Sequence, residues 1–190
     1  MVDLLSLQKY FMLQHLGMGD VAVDFTMGNG NDTLFLSETV GASGKVYAFD
    51  IQEEALVSTR EHLVMAGAPE NYTLICASHH LVKDYVKEPI KAGMFNLGYL
   101  PRSGKKSVTT MRETTMPAVE AAIELLAPDG ALIVAIYPGH EEGALEGDML
   151  REYFKTLSKY RICASEFRIL NSPTSPYFFL IEKSPRKLDD

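Results

Sequence analysis

The chain has 190 residues, 46% hydrophobic and 23% charged, with two Cys, no Trp and a net charge of −7. That length suits a single domain over 1–190, which can bury roughly 70% of its extended surface without a disulfide or structural metal. The composition excludes disordered and collagenous chains, and the longest apolar run, Ala131–Tyr137, falls far short of the roughly 20 residues that cross a bilayer.

The opening segment Leu4–Leu16 reads as a helix. It carries no secretory pattern, so a cytoplasmic protein is expected. Val21–Phe25 is the first strand, followed by a Gly-rich turn, and Lys45–Asp50 is the second. Gln52–Ala66 aligns Leu56, Thr59, Leu63 and Ala66 at helical spacing and stops at Gly67, a suitable residue just past a helix end. Tyr72–Ala77 and Gly93–Leu97 are the third and fourth strands. Pro117–Ala127 is helical through Val119, Ala122, Ile123 and Leu126. Its start is open between a capping box at Thr110 and Glu113 and a first turn at Pro117. Ala131–Tyr137 is the fifth strand, Glu142–Leu157 a helix, and Arg161–Ile169 and Tyr177–Glu182 the last two strands. Cys76 and Cys163 stand in strand-like stretches and are expected as reduced core thiols.

Strands alternating with helices predict right-handed βαβ units and a parallel sheet covered on both faces. The end of the chain breaks the alternation. The link 171–176 is too short for a crossover helix, so the final strand must be antiparallel. The predicted fold is therefore α/β and Rossmann-like, with seven strands, mostly parallel, closed by an antiparallel terminal hairpin. This is the layout of class I methyltransferases, whereas a dehydrogenase domain would continue the alternation.

Chemistry-bearing residues fall at the carboxyl ends of these strands. After Asp24 come Thr26, Gly28, Asn29, Gly30, Asn31 and Asp32, a turn through which a ligand can approach the backbone at a helix N-terminus. A dinucleotide site wants Gly or Ala at position 33, which is Thr33 here. Asp24 and Asp32 suit a cationic ligand end such as the ammonium and sulfonium of S-adenosylmethionine (SAM). Asp50 ends the second strand twenty residues beyond Gly30, the offset at which a carboxylate meets ribose hydroxyls, with Gln52 beside it. A plain glycine turn and a helix cap at Asp50 are the competing structural roles. Ser78 and His79 follow the third strand, where an adenine pocket is expected. His79 and His80 are adjacent, not spaced as a helical zinc pair, and no metal is expected. His15 and His62 read as helix-surface residues.

The fourth strand ends in Asn96, Leu97, Gly98 and Tyr99, similar to the Asn-Pro-Pro-Tyr type motif of amino-directed methyltransferases. An amine nucleophile needs its N–H groups held by acceptors so that its lone pair faces the methyl donor. The Asn96 side chain and the Leu97 carbonyl supply acceptors, and Tyr99 an aromatic wall. As a structural alternative, Asn96 caps a strand end and Tyr99 is core.

Taken whole, the chain resembles a small bacterial methyltransferase family once labelled rRNA methylase and now associated with the wobble uridine of tRNA. The resemblance rests on Asp24 with Thr26, Gly28, Asn29, Gly30, Asp32 and Thr33, on Asn96 through Pro101, and on Tyr137, Gly139, His140, Glu142 and Gly143. It implies SAM as cofactor and conversion of a 5-aminomethyl group on wobble (2-thio)uridine to 5-methylaminomethyl. It also implies the tRNA anticodon stem-loop as partner, and a homodimer. His140 would contact substrate or take a proton, and Glu142 would orient an ammonium or His140. Three departures stand out: Phe25 replaces a small residue, His80 an acidic one, and Arg102 with Ser103 a Gly-Gly pair.

Charge is uneven. Residues 83–112 hold Lys83, Lys87, Lys91, Arg102, Lys105, Lys106 and Arg112 against two acids. Arg102, Lys105 and Lys106 directly follow the motif and are expected to meet RNA phosphate, the alternative being a solvated face. The function readings that remain beside tRNA are rRNA or a small amine as methyl acceptor, an NAD-dependent oxidoreductase, and a non-catalytic RNA-binding protein.

Overall fold

The computed structural model of the chain describes residues 3–97, 111–139 and 141–185. These build one seven-stranded sheet from β1 (Val21–Asp24), β2 (Lys45–Asp50), β3 (Tyr72–Cys76), β4 (Ile90–Leu97), β5 (Leu126–Ile136), β6 (Ile162–Phe167) and β7 (Tyr177–Lys183). The strand order is β3-β2-β1-β4-β5-β7-β6. The first five strands are parallel, and β7 lies antiparallel between β5 and β6. The terminal hairpin expected from the short link is present.

Among the described residues the helices are α1 (Leu4–Met12), α2 (Asn31–Val40), α3 (Glu53–Ala66), α4 (Val82–Tyr85), α5 (Arg112–Leu125) and α6 (Glu141–Thr156), with a 3-10 turn at His79–Leu81. Strand alternation divides the core in two. On β5, Leu132, Val134 and Ile136 face one side with Val119 and Ala122 of α5 and Leu150 and Phe154 of α6. Ala131, Ile133 and Ala135 face the other with Met12 of α1 and Leu36 and Val40 of α2. Helix α3 packs beside α2 against β2 and β3. Its buried line is Ala55, Thr59 and Leu63, while Ala66 is exposed at the turn where Gly67 closes the helix with φ +68°.

Several expectations change. Helix α1 stops at Met12, so His15 lies beyond it. There its Nδ1 donates to the Asp129 carbonyl at 3.1 Å, and its Nε2 stands 3.2 Å from Glu182. Helix α5 starts at Arg112 and carries Pro117 internally, where an exposed first stretch tolerates the one missing N–H. Strand β5 starts five residues early, through Asp129 at φ +58° and a register shift opposite Ile90 and Ala92. Cys76 and Cys163 are on strands as expected but are exposed. Strands β3 and β6 are the two edges of the sheet, where one flank and part of each face stay open.

Candidate active site

The carboxyl ends of β1, β2 and β4 converge on the loop between β1 and α2. Asp24, the last residue of β1, is fully buried. It accepts the Thr33 hydroxyl at 2.6 Å and the Thr26 N–H at 3.1 Å. Position 33 is thus a hydroxyl clamp on Asp24 where a dinucleotide loop would carry a small residue. Burial, and then the charge of Asp32, push the Asp24 carboxyl up to about 7. Asp24 therefore shapes the loop from beneath.

Asp50 ties the glycine loop to the start of α3, whose N-cap is Gln52 and not Asp50. One oxygen accepts the Gly28 N–H at 3.1 Å and the other the Gln52 N–H at 3.0 Å, at the residue that caps α3. The Ile51 backbone and the Gln52 side chain also bond to this half-buried carboxylate. Burial raises its pKa against all of these bonds.

Helix α3 holds the loop from its other side. The Thr59 hydroxyl donates to the Gly28 carbonyl at 3.0 Å, Ser58 to the Asn29 side chain at 3.0 Å, and His62 Nδ1 to the Asn29 carbonyl at 2.9 Å. His62 is therefore a tie between helix and loop, where a plain surface residue was expected. Gly30 has φ +79°, and a Cβ there would stand 2.9 Å from Thr59 Cγ2, so both backbone and neighbour require glycine. Asn31 is exposed in the first turn of α2.

Asn96 lies near the end of β4, half-buried, beside Leu97, which is fully buried. Its N–H donates to the Thr26 hydroxyl at 2.7 Å. Its side-chain amide donates to Asp32 at 2.5 Å, and its carbonyl oxygen accepts the Tyr137 hydroxyl at 3.3 Å. Burial raises the Asp32 pKa, opposed by the Asn96 bond and the charge of Lys9.

Several expected residues are engaged by neighbours. His79 is 7% exposed, with Nδ1 donating to the Phe25 carbonyl at 3.2 Å and Nε2 buried without a partner, so neither ring nitrogen is open to a ligand. Burial brings its pKa down to about 4, so the ring is neutral. Ser78 is half-buried and bonded to His80 Nδ1 at 2.8 Å. Glu142 pairs with the Arg112 guanidinium at 3.0 Å, joining the first turns of α5 and α6. Lys83 pairs with Glu124, and Lys91 lies 3.4 Å from Asp129, so these basic residues serve local pairs. Tyr99, Arg102, Lys105, Lys106 and His140 lie outside the described residues. Phe25 is explained: it stacks on Phe95 at 4.0 Å and lies against Gly93, where any Cβ would meet its ring at 2.9 Å. Among the described residues no group of three or more His, Cys, Asp or Glu is placed to hold a metal ion.

Thr33, Ser58, Thr59, His62 and Tyr137 were not foreseen as site residues. Thr33 and Tyr137 carried a signal, since they belong to the first and third motifs of the resemblance. The others act by contacts between distant segments, which spacing does not report.

A family model described as "Putative rRNA methylase" matches residues 46–183. The chain belongs to that family. It is 36% identical over 180 residues, 90% of its length, to the chloroplastic tRNA (mnm(5)s(2)U34)-methyltransferase of Arabidopsis thaliana, and spans 65% of that protein. The "putative rRNA-methylase" of Clostridium thermocellum superposes with a TM-score of 0.92 at 36% identity, covering 96% of this chain and 98% of the other. A "putative methyltransferase" of Streptococcus mutans, solved in complex with SAH, gives 0.87 at 39% identity, covering 96% and 99%. Both solved structures share the fold of this chain over nearly its whole length.

Proposed function

We propose that the protein is a SAM-dependent N-methyltransferase that converts the 5-aminomethyl group of wobble (2-thio)uridine in tRNA to 5-methylaminomethyl. The observation that carries this reading is Asn96, held at the end of β4 between Asp32 of the glycine loop and Tyr137. Its support is the family, the wobble-uridine relative at 36% identity and the SAH complex of the Streptococcus mutans protein.

The residues present fit the cofactor. Asp50, fixed at the end of β2 by the Gly28 and Gln52 N–H groups, is the carboxylate that meets the ribose hydroxyls. Gly28 to Asn31 and Asp32 border the amino-acid end, Gln52 the ribose, and Ser78 the base. Asp24 and Thr26 hold the loop in shape. When bound, SAM supplies an electrophilic methyl group.

A primary alkyl amine is mostly protonated at neutral pH, and an ammonium has no lone pair with which to attack. The site therefore has to favour the neutral amine, by burial and by acceptors for its N–H groups. Asn96 and the Leu97 carbonyl are those acceptors, with Tyr99 against the base. His140 and Glu142 flank the substrate, and Arg102, Lys105 and Lys106 meet phosphates of the anticodon stem-loop. An anticodon base is already unpaired, so presenting it needs little unstacking. A cytoplasmic homodimer completes the proposal. Ribosomal RNA is the second reading, favoured by the family's description. Mass spectrometry of nucleosides from cells lacking the protein separates them: loss of 5-methylaminomethyl-2-thiouridine from tRNA supports the first, and loss of a methylated rRNA nucleoside the second.

A further inference from the structure

The Asn96 side chain is a donor and an acceptor of nearly the same shape, and only one of its two orientations serves an amine nucleophile. We propose that Tyr137 is a positioning residue that fixes this orientation, leaving the Asn96 carbonyl oxygen with one lone pair for the substrate N–H. The proposal rests on the amine-methylating reading above.

Sheet geometry brings the two residues together. Strands β4 and β5 are parallel, with Asn96 opposite Ala135 and Leu97 opposite Ile136. Side chains alternate, so Tyr137, two residues past Ala135, returns to the face that Asn96 occupies, one step beyond the last paired residues. Its ring packs against the core that holds Ala135, Phe178 and Leu180, which fixes where the hydroxyl lies.

The two bonds on the amide have different logic. Ionised Asp32 accepts only, so it selects the NH2 end, which donates to it. The carbonyl end must then face Tyr137, whose hydroxyl donates at 3.3 Å. A hydroxyl also accepts, so Tyr137 alone would not choose an orientation; with Asp32 it completes one. Asp32 is a weaker selector when protonated, and burial raises its pKa, so a second fixed partner on the carbonyl side matters. A carbonyl oxygen has two lone pairs, of which Tyr137 takes one. Tyr137 need not touch the substrate to act.

The test is a double-mutant cycle on methyl transfer from SAM to tRNA carrying the aminomethyl precursor, with wild type, Tyr137→Phe, Asn96→Ala and the double variant. SAM affinity is measured by calorimetry and folding by thermal melting. Tyr137→Phe keeps the ring and removes only the hydroxyl. The expected result is a kcat lowered about tenfold to a hundredfold, the worth of one hydrogen bond at the reacting group, with SAM affinity unchanged within about twofold. On the Asn96→Ala background the same change should add nothing, because the group it positions is gone. An unchanged kcat in an active, folded Tyr137→Phe enzyme overturns the inference, and so does a loss that multiplies with that of Asn96→Ala. Wild-type protein that fails to methylate this tRNA overturns the substrate reading instead, and the inference with it.

Discussion

Asp24, Asp32 and Asp50 gather around one loop, and burial raises the pKa of each. Bringing three carboxylates together costs stability that a cationic ligand would recover, and Asp24 allows a direct measurement of that cost. Its pKa is about 7 in the fold against an ordinary value of 3.8. Between these values the folded chain keeps a proton that the unfolded chain has released. The stability due to this group therefore falls as pH rises from about 4 to about 7 and is level outside that window. Asp24→Asn removes the titration while keeping an acceptor for Thr33 or Thr26. In the ligand-free protein, the melting temperature of the variant minus that of wild type should grow from pH 5 to pH 8. A difference independent of pH would show that Asp24 ionises normally.

At the scale of elements, the strand–loop–helix unit is set as much by α3 as by its own glycines. Thr59, Ser58 and His62 hold the loop, and Gly30 is pressed against Thr59. Gly30→Ala brings left-handed backbone strain of roughly 1–2 kcal/mol together with a contact that only movement of α3 or the loop relieves. SAM affinity measured by calorimetry should fall about tenfold or more, and the melting temperature should fall with it. Unchanged affinity would remove this turn from the cofactor site. The sequence made β1 to β4 and the terminal hairpin legible, because short apolar runs and a link too short for a crossover are local signals. It left the start of α5 open and missed the early start of β5, since Pro117 and the Asp129 turn are accommodated by packing that no local pattern encodes. The cysteines were misplaced for a related reason. An apolar strand looks the same at the edge of a sheet as at its centre, and position in the strand order decides exposure. In the site, Asp50 and Asn96 were legible from their strand-end positions. Thr59 and His62 were not, because each matters through one contact to a residue elsewhere in the chain.

For the whole molecule, a net charge of −7 disfavours nonspecific RNA binding, so any RNA contact must be local. Lys83 and Lys91 are taken up in local pairs, and Arg112 is paired with Glu142. The expected phosphate contacts therefore rest on Arg102, Lys105 and Lys106. Replacing Lys105 and Lys106 by Ala should lower the slope of log affinity against log salt for tRNA by about two, and an unchanged slope would return both lysines to a solvated face. The central claim concerns the nucleophile. It is tested most directly by methyl transfer from SAM to two preparations of the same purified tRNA, one carrying the 5-aminomethyl group at the wobble uridine and one lacking it. The account predicts transfer to the first alone, with 5-methylaminomethyl uridine as product. Equal transfer to both, or transfer to neither, would contradict it.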